Sequence, residues 1–587
     1  MMPLLTIDNL SVDFFSGKET TNAVKNISFN VDRGDVVGIV GESGSGKTVT
    51  SLSILQLLPS PPAQYSSGRI LFSEGGNNIE DLLTKGHKEL QHIRGNKIAM
   101  IFQEPMSSLN PVFSCGHQVT EAILAHKTVS NNQARQQTID WFSKVKLSEP
   151  DKIFHRYPHQ LSGGQKQRVM IAMAMSCNPS LLICDEPTTA LDVTVQKTIL
   201  KLIRELQQEQ NMGVIFITHD LGVVAEVADK VVVMYNGEIV EQNSVKEIFD
   251  RPQHPYTKAL LACRPVNHQR GERLPVVSDF FEKVEKVGVR GHERVSKPEI
   301  TSDRMIRGGK EQQFRPGEPV ARPPALIEVQ NLSVWFPSKK NFFGKTLEFV
   351  KAVDDVSFEV LKGETLGLVG ESGSGKTTLG RALLRLIDPV SGKIIYNDED
   401  ITAKKRDQLK PLRKDIQIVF QDPYSSLNPR ITIGSAIAEP MQVHKIFPGG
   451  HQRKKKVIEL LEKVDLRPGH FNRYPHEFSG GQRQRIVIAR ALALNPSFLV
   501  CDESVSALDV SVQAQVLNLL NDLKKEFGFT IIFISHDLAV VRYISDRIMV
   551  MNNGRIEESG DADDIYFNPQ TEYTKTLVAS IPKGKIA

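Results

Sequence analysis

The sequence predicts an α/β protein in which one domain occurs twice in tandem. The chain has 587 residues, more than one hydrophobic core usually serves, and its 40% hydrophobic and 24% charged residues are typical of a globular protein. The segment GESGSGKT at Gly41–Thr48 returns unchanged at Gly370–Thr377. Each copy follows a short apolar strand and precedes a helical pattern, which is the strand–loop–helix context of a parallel α/β sheet.

Further segments repeat in the same order downstream of the glycine-rich ones. A glutamine, a Ser-Gly-Gly-Gln segment, an acidic pair and a histidine occur in both copies, and the last three keep one constant offset. A chance match of one motif would not bring the others with it, so we interpret the chain as a duplicated domain. The predicted domains are residues 1–266 and 325–587, joined by a linker at 267–324.

The predicted linker is rich in charged residues, glycine and proline and has little periodicity. We expect an exposed, solvated tether with one short helix around residues 280–287. The linker contains 12 basic and 9 acidic residues, and the whole chain has a net charge of only +4. Because nucleic-acid binding requires concentrated positive charge, this balance gives no reason to expect it.

The two glycine-rich segments have the composition of a phosphate-binding loop. Glycines let backbone N–H groups turn inward around phosphate oxygens at the positive end of the helix dipole. The lysine would reach the outer phosphates of ATP, and the threonine hydroxyl would hold Mg²⁺. A glycine-rich turn that happens to precede a lysine is the alternative for one copy, but two copies in matching contexts favour phosphate binding. The predicted residues are Gly41, Ser43, Gly44, Ser45, Gly46, Lys47 and Thr48, and Gly370, Ser372, Gly373, Ser374, Gly375, Lys376 and Thr377.

Two apolar strands end in adjacent carboxylates, Asp185-Glu186 in the first copy and Asp502-Glu503 in the second. Alone, such a pair is usually an ordinary polar end of a strand. At the same place in both copies of a phosphate-loop domain, we predict that the aspartate helps to bind Mg²⁺. The glutamate would polarise the water that attacks the γ-phosphate.

His219 and His536 each follow another apolar strand. No second histidine or cysteine stands at ligand spacing near either one, so a metal site is not expected there. We predict that a neutral imidazole hydrogen-bonds the γ-phosphate, which makes both histidines catalytic residues beside the two glutamates. The five cysteines are scattered, and Cys184 and Cys501 fit small core positions inside the strands.

Nothing in the sequence predicts a membrane span or a secretory leader. The apolar runs, such as residues 231–234 and 531–534, are far too short to cross a bilayer, and the amino terminus has no basic leader followed by an apolar stretch. The absence of paired cysteines favours a reducing, cytosolic compartment. If the protein drives movement across a membrane, other chains must provide the path.

The Ser-Gly-Gly-Gln segments look like the signature sequence of ABC ATPases, and the resemblance covers nearly all of both halves. Gln103 and Gln421 resemble the Q-loop of that family, which implies that each adds a ligand to Mg²⁺, and the segments ending at Asp192 and Asp509 resemble the D-loop. The resemblance implies, in each half, a RecA-like core, an antiparallel β subdomain and a helical signature subdomain. It also implies two nucleotide-binding signatures, Ser162, Gly163, Gly164 and Gln165, and Ser479, Gly480, Gly481 and Gln482.

In ABC ATPases two domains pair head to tail, and each ATP lies between one phosphate loop and the opposite signature. One implied site combines Lys47, Gln103, Glu186 and His219 with Ser479, and the other combines Lys376, Gln421, Glu503 and His536 with Ser162. Neither half should then hydrolyse ATP efficiently alone. Phe14 and Phe336 would stack on adenine as the family's A-loop aromatic does, although an ordinary core phenylalanine is the alternative at both positions.

A narrower resemblance is to di- and oligopeptide importers and their glutathione and nickel relatives. It rests on the Q-loop stretches at residues 103–111 and 421–429 and on HPYTKALL at 254–261 and EYTKTL at 572–577. It implies two permease chains, an extracytoplasmic solute-binding protein, and a peripheral place on the cytoplasmic face of a bacterial inner membrane. Cys263 alone stands where many relatives have four cysteines, so no iron–sulfur cluster is expected. Ser504 replaces the usual proline after Glu503, which predicts a looser loop but still an active site.

Two rival functions stay open at this level. A ribosome-associated factor of the ABC-F type also has fused halves, but its linker is typically long, helical and strongly basic. An exporter ATPase is disfavoured by the importer-like Q-loop stretches. The cargo is not readable from the sequence: peptide, glutathione, a peptide antibiotic and nickel chelates all remain candidates.

Overall fold

The protein folds into two halves of the same architecture, each with two β-sheets and a group of helices. The computed structural model describes residues 2–17, 19–74, 79–103, 108–189, 191–281, 323–340, 346–405, 407–506 and 508–582. The duplication and the three-part architecture expected from the resemblance are both present. Most of the predicted linker, residues 282–322, lies outside the described residues, and its bounds stay a prediction.

The core of the first half is a six-stranded sheet in the order β10-β9-β3-β8-β7-β6, parallel except for the β9–β10 pair. Its central strands are continuous apolar runs because helices cover both faces. The phosphate loop, the acidic pair and His219 all follow the carboxyl ends of these strands, so the sheet brings them to one edge. The strands are β3 (Val36–Val40), β6 (Ile98–Ile101), β7 (Leu181–Asp185), β8 (Gly213–Thr218), β9 (Lys230–Tyr235) and β10 (Glu238–Ser244).

A second sheet of the first half is antiparallel and has the order β2-β1-β4-β5. Its strands are β1 (Leu5–Ser16), β2 (Glu19–Val31), β4 (Ala63–Phe72) and β5 (Glu80–Asp81). Alternating apolar side chains of these strands join one hydrophobic cluster with the core sheet. The helices of the half are Lys47–Ile54, His87–Ile93, Cys115–His126, Asn131–Lys144, Pro150–His155, Gly163–Met175, Val193–Gln210, Leu221–Val227, Val245–Asp250 and Pro255–Ala262, with short 3₁₀ turns at Leu82–Thr84, Pro158–Gln160 and Pro265–Asn267.

The second half repeats this plan, with sheet orders β12-β11-β14-β15 and β16-β17-β18-β13-β19-β20. Its strands are β11 (Ala325–Lys340), β12 (Thr346–Leu361), β13 (Thr365–Val369), β14 (Ser391–Tyr396), β15 (Glu399–Asp400), β16 (Ile416–Val419), β17 (Phe498–Asp502), β18 (Thr530–Ser535), β19 (Arg547–Asn552) and β20 (Arg555–Asp561). Its helices are Lys376–Leu383, Leu412–Asp415, Ile433–Val443, Gly450–Lys463, Gly480–Leu492, Val510–Phe527, Leu538–Ile544, Ala562–Phe567 and Glu572–Ala579, with 3₁₀ turns at Pro468–Asn472 and Pro475–Glu477.

The first part of the predicted linker packs on the second half instead of lying in solvent. Leu274 is 1% exposed and belongs to the hydrophobic cluster of the second half. The side chain of Asn518 binds both backbone groups of Leu274, because it accepts from Leu274 N at 3.0 Å and donates to Leu274 O at 2.8 Å. The expectation of a solvated tether is therefore wrong for this part, because charge and proline content conceal one buried leucine. Residues 277–281 are helical, and the rest of the helix expected around 280–287 lies outside the described residues.

Among the described residues, no helix is long and apolar enough to cross a bilayer. All five cysteines are buried and free, including the two core cysteines of β7 and β17.

Candidate functional site

Each phosphate loop begins its helix at a glycine in the left-handed region. Gly46 has φ +98°, and a Cβ atom there would lie 2.6 Å from the carbonyl oxygen of Ala23. Gly375 has φ +106° and the same close approach to Ala352. Any larger residue would push the loop off the β subdomain, so both the conformation and the packing require glycine.

The predicted phosphate lysines point into their own loops. Lys47 Nζ donates to the carbonyl oxygens of Gly41 at 2.7 Å and Glu42 at 2.8 Å, and Lys376 makes the same two contacts in its loop. Both ammonium groups are almost fully buried, and burial lowers the pKa of each below its usual range. A polyanion in the loop would compensate this burial, which is the electrostatic environment that a nucleotide phosphate requires.

Oxygen ligands suited to Mg²⁺ meet beside each loop. The Thr48 hydroxyl donates to Asp185 Oδ1 at 3.2 Å, and the Thr377 hydroxyl donates to Asp502 Oδ1 at 2.9 Å. Burial, opposed by the Thr48 hydrogen bond and reinforced by the neighbouring Glu186, raises the pKa of Asp185 to about 6. A hydroxyl and a buried carboxylate are oxygen ligands that fit a small divalent ion well.

Glu186 is held by three side chains. Its carboxylate accepts from Gln103 Nε2 at 3.0 Å and from the Thr189 hydroxyl at 3.0 Å, and lies 3.4 Å from His219 Nδ1. Burial alone would raise the pKa of Glu186, but His219 and then Lys47 outweigh it and lower the pKa to about 2. Glu186 has φ +47°, a strained value for this residue type, fixed by a hydrogen bond from its backbone N to Ile217 O. The structure thus fixes a charged carboxylate at the place predicted for the base.

Glu503 has the same backbone but fewer partners. Its φ is also +47°, and its carboxylate accepts from Gln421 Nε2 at 2.6 Å and lies 3.7 Å from His536 Nδ1. The hydroxyl of Ser506 donates to the backbone oxygen of Glu503 at 3.0 Å, whereas its counterpart in the first half binds the carboxylate. Glu503 N donates to Ile534 O at 2.9 Å, as Glu186 N does to Ile217 O, so the turn is retained with Ser504 in place of the usual proline.

Residues of each D-loop bind the phosphate loop of the other half. Asp509 accepts from Ser43 N at 3.1 Å and from the Ser43 hydroxyl at 3.2 Å. Asp192 accepts from Ser372 N and from its hydroxyl, both at 2.8 Å. A second pair of bonds repeats the exchange two residues further on: the Thr194 hydroxyl donates to Glu371 at 2.5 Å, and the Ser511 hydroxyl donates to Glu42. The halves therefore meet head to tail, with each phosphate loop against the opposite D-loop.

The signatures stand directly beside the same D-loops. A Cβ atom on Gly480 would lie 3.9 Å from Leu508, and one on Gly481 would lie 2.2 Å from Val512. Ser479 begins the signature helix, and its exposed hydroxyl accepts from Gln482 N, as Ser162 does from Gln165 N. Each signature helix therefore starts next to the opposite phosphate loop and can offer its free N–H groups to an anion there.

The two predicted adenine-stacking aromatics differ in exposure. Phe14 packs partly against the hydrophobic cluster of the first half, while Phe336 is 40% exposed. The side chain of Phe336 is thus accessible to a ligand, whereas Phe14 is partly buried in the core. Stacking on adenine stays a prediction for both.

Sequence reasoning missed one contact to each phosphate loop. The hydroxyl of Tyr256, a fully buried side chain, accepts from Glu42 N at 2.9 Å, and the hydroxyl of Tyr573 accepts from Glu371 N at 3.1 Å. Both tyrosines lie in the segments at 254–261 and 572–577, which were used above only for the narrower family resemblance. The repeated Tyr-Thr-Lys in the two extensions was the available signal.

Comparison with known proteins agrees with this geometry. The family model described as ABC transporter matches residues 24–189 and 353–506. The chain belongs to the ABC transporter family. The glutathione import ATP-binding protein GsiA of Escherichia coli (strain K12) is 48% identical to this ABC chain over 584 residues, 99% of this chain and 89% of that protein. GsiA of Salmonella choleraesuis (strain SC-B67) is 47% identical over 580 residues with the same coverage.

The extensions of this ABC chain match a second family model, described as the C-terminal region of oligopeptide/dipeptide transporters, at residues 240–285 and 558–586. Those residues include the two missed tyrosines. The chain is thus an ATP-hydrolysing subunit of the peptide-importer class, which confirms the narrower resemblance. Among solved structures, a dimeric bacterial ABC transporter cassette is 29% identical and covers 40% of this chain and 98% of its own length, with a TM-score of 0.37.

Proposed function

We propose that this chain powers the uptake of glutathione or similarly short peptides by binding two Mg²⁺–ATP complexes between its halves. The observation that carries the proposal is the reciprocal bonding of each phosphate loop to the opposite D-loop. The cargo class follows from the likeness to the GsiA proteins and from the matching importer-type extensions. Nickel chelates and peptide antibiotics are other outcomes of the test below.

In each site the chain's own groups divide the work of hydrolysis. Lys47 and the loop amides neutralise the phosphates, and Glu186 orients and polarises the attacking water while Gln103 and His219 hold its carboxylate. The Thr48 hydroxyl and Asp185 would hold Mg²⁺, which supplies charge neutralisation at the β- and γ-phosphates when bound. Ser479 would close the site from the other half. The second site uses Lys376, Gln421, Glu503, His536, Thr377, Asp502 and Ser162 in the same roles.

We infer that two permease chains dock near the Q-loops. Phe102 and Phe420, each directly before the Q-loop glutamine, are 42% and 37% exposed, and Tyr424 beyond the second one is 58% exposed. Exposed aromatic groups beside a catalytic contact suit a partner surface that must sense the nucleotide. The chain would then lie on the cytoplasmic face of the membrane, and an external binding protein would choose the solute.

Purification of the assembled transporter with its binding protein tests the cargo. Mass spectrometry of the small molecule released on denaturation should identify glutathione or a short peptide. A sugar or a lipid as the released molecule would contradict the proposal. Membrane fractionation adds an independent check, because a ribosome-associated ATPase would sediment with polysomes instead of with the membrane.

A further inference from the structure

Arg264 connects the turn after His219 with the end of the second half. It follows the helix Pro255–Ala262 of the first half and is only 8% exposed. Its Nη2 donates to the backbone oxygen of Pro582 at 2.8 Å. Arg264 therefore holds residues 579–582, which we call the tail of the second half. Its Nε lies 3.9 Å from Asp220 Oδ1, within ion-pair range of the residue that follows His219. One buried guanidinium therefore contacts a catalytic turn of one half and the tail of the other.

The turn that carries His219 is built to receive this guanidinium. Asp220 accepts from Gly222 N at 2.7 Å and so begins the helix Leu221–Val227. A Cβ atom on Gly222 would lie 2.2 Å from Nη2 of Arg264, so the guanidinium occupies the space that a side chain at residue 222 would need. Because Asp220 is bound on one side by its helix and faces a cation on the other, the turn has little freedom to shift.

The second half has neither the arginine nor the glycine at the equivalent positions. Ile581 stands where the first half has Arg264, and Ala539 stands where it has Gly222. Ile581 packs into the hydrophobic cluster of the second half, and Asp537 only caps its own helix, accepting from Ala539 N at 2.9 Å. Within the described part of the chain, no lysine or arginine forms an ion pair with Asp537. The arginine and the glycine are thus both present in one half and both absent from the other.

The tail of the second half also lies close to the catalytic histidines of both sites. Lys197 of the first half donates to the backbone oxygen of Ala579 at 2.7 Å, which fixes the tail just before the contact with Arg264. Ile581 and Pro582 line a cavity of about 110 Å³ whose other walls include His219 and His536. A shift of the tail would therefore reach both histidine turns, but only the first is tied to it by an arginine.

We propose that Arg264 is a positioning residue of the first ATP site, which holds the His219 turn against the tail of the second half and makes the two sites unequal. The proposal rests on the ATPase function proposed above. Arg264 acts through Asp220, the residue that follows His219. Hydrolysis at the first site would therefore depend on the docked tail, whereas hydrolysis at the second site would not depend on an equivalent contact.

The test measures each site separately in the full chain. A protease site inserted within residues 282–322 lets the two halves be separated on a denaturing gel after labelling. The protein is incubated with 8-azido-ATP, Mg²⁺ and orthovanadate, which trap the product of hydrolysis, and is then irradiated and cut. The ratio of label in the first half to label in the second half reports relative turnover at the two sites. Labelling in the cold without vanadate reports binding alone.

Arg264→Ile, which copies the second half, should lower the vanadate-trapped label of the first half about tenfold, the effect of one charge-assisted hydrogen bond. Label in the second half and binding label in both halves should stay within about twofold. Arg264→Lys should restore part of the ratio because it keeps a cation beside Asp220. Gly222→Ala, which displaces the guanidinium without removing it, should lower the ratio in the same direction as Arg264→Ile.

Ile581→Leu in the second half is the matched control and should leave the ratio unchanged. An equal fall of trapped label in both halves, or a loss of binding label in the first half, would show a merely structural role and overturn the proposal. An unchanged ratio in both Arg264→Ile and Gly222→Ala would overturn it as well. Absence of trapped label from both halves of the wild-type chain would instead reject hydrolysis at the two proposed sites between the halves, and this inference with it.

Discussion

Glu186 and Glu503 occupy equivalent strained turns, so we expect both ATP sites to turn over. Gln keeps the volume of Glu and one acceptor oxygen, which suffices for the donors that share Oε2, so neither Glu186→Gln nor Glu503→Gln should disturb folding. Each should lower steady-state ATPase activity to half or less, and the double variant should lower it by about 100-fold or more, the usual contribution of a general base. Activity is measured as phosphate release at saturating ATP.

Thermal unfolding midpoints of the three glutamine variants serve as the folding control. Wild-type activity in Glu503→Gln together with no activity in Glu186→Gln would contradict two active sites. The carboxylate of Glu503 lacks a counterpart of the Thr189 contact. That result would show that this difference makes the second site inactive.

At the same scale, residue chemistry predicted much of the candidate site, but not its fine contacts. The lysines, the acidic pairs and the histidines were recognisable because phosphate and water chemistry restricts residue type and order along a sheet edge. The difference between Thr189 and Ser506 was not predictable, since both side chains carry a hydroxyl and only the turn decides its acceptor. The same limit hid the Arg264 contacts, which join residues that are far apart in sequence.

Among the elements, the two carboxyl-terminal helices support the phosphate loops. Tyr256 and Tyr573 each accept a backbone N–H from the loop, and removal of either acceptor leaves that donor without its partner. Tyr256→Phe keeps the buried ring and should cost about 1 kcal/mol at the first loop, which corresponds to about a fivefold weaker ATP affinity there. Tyr573→Phe should weaken the second site less, because Tyr573 is only half-buried and water can replace it.

Nucleotide affinity in both tyrosine variants is measured by equilibrium titration with a fluorescent ATP analogue. Thr257→Val, a change at the neighbouring buried position, controls for general damage to the helix. Equal affinities of Tyr256→Phe and wild type would show that the loop amide does not need this acceptor. The sequence marked these segments through the family resemblance but not their contact with the loops, because an amphipathic pattern shows which face is buried and not what lies against it.

For the whole molecule, the head-to-tail arrangement was predictable only through the family resemblance. The sequence around Asp192 and Asp509 does not indicate that each aspartate binds a serine of the other half. The sequence was also misleading about the joint between the halves. A segment that reads as a solvated tether begins with Arg270, Arg273 and Leu274 bound to the second half.

These docked residues predict that the halves stay together after the chain is cut. Cleavage at a protease site inserted within residues 282–322 leaves Leu274 buried and its two hydrogen bonds to Asn518 in place, and it also leaves the contacts of Lys197 and Arg264 with the tail of the second half. The cut protein should therefore elute as one species in size-exclusion chromatography without ATP.

Asn518→Ala leaves both backbone groups of Leu274 unpaired in a buried place and should weaken the association of the cut halves about tenfold. Lys201→Ala, at the equivalent but exposed position of the first half, should not weaken it. Separation of the wild-type halves on cutting would show that only ATP and the covalent connection hold them.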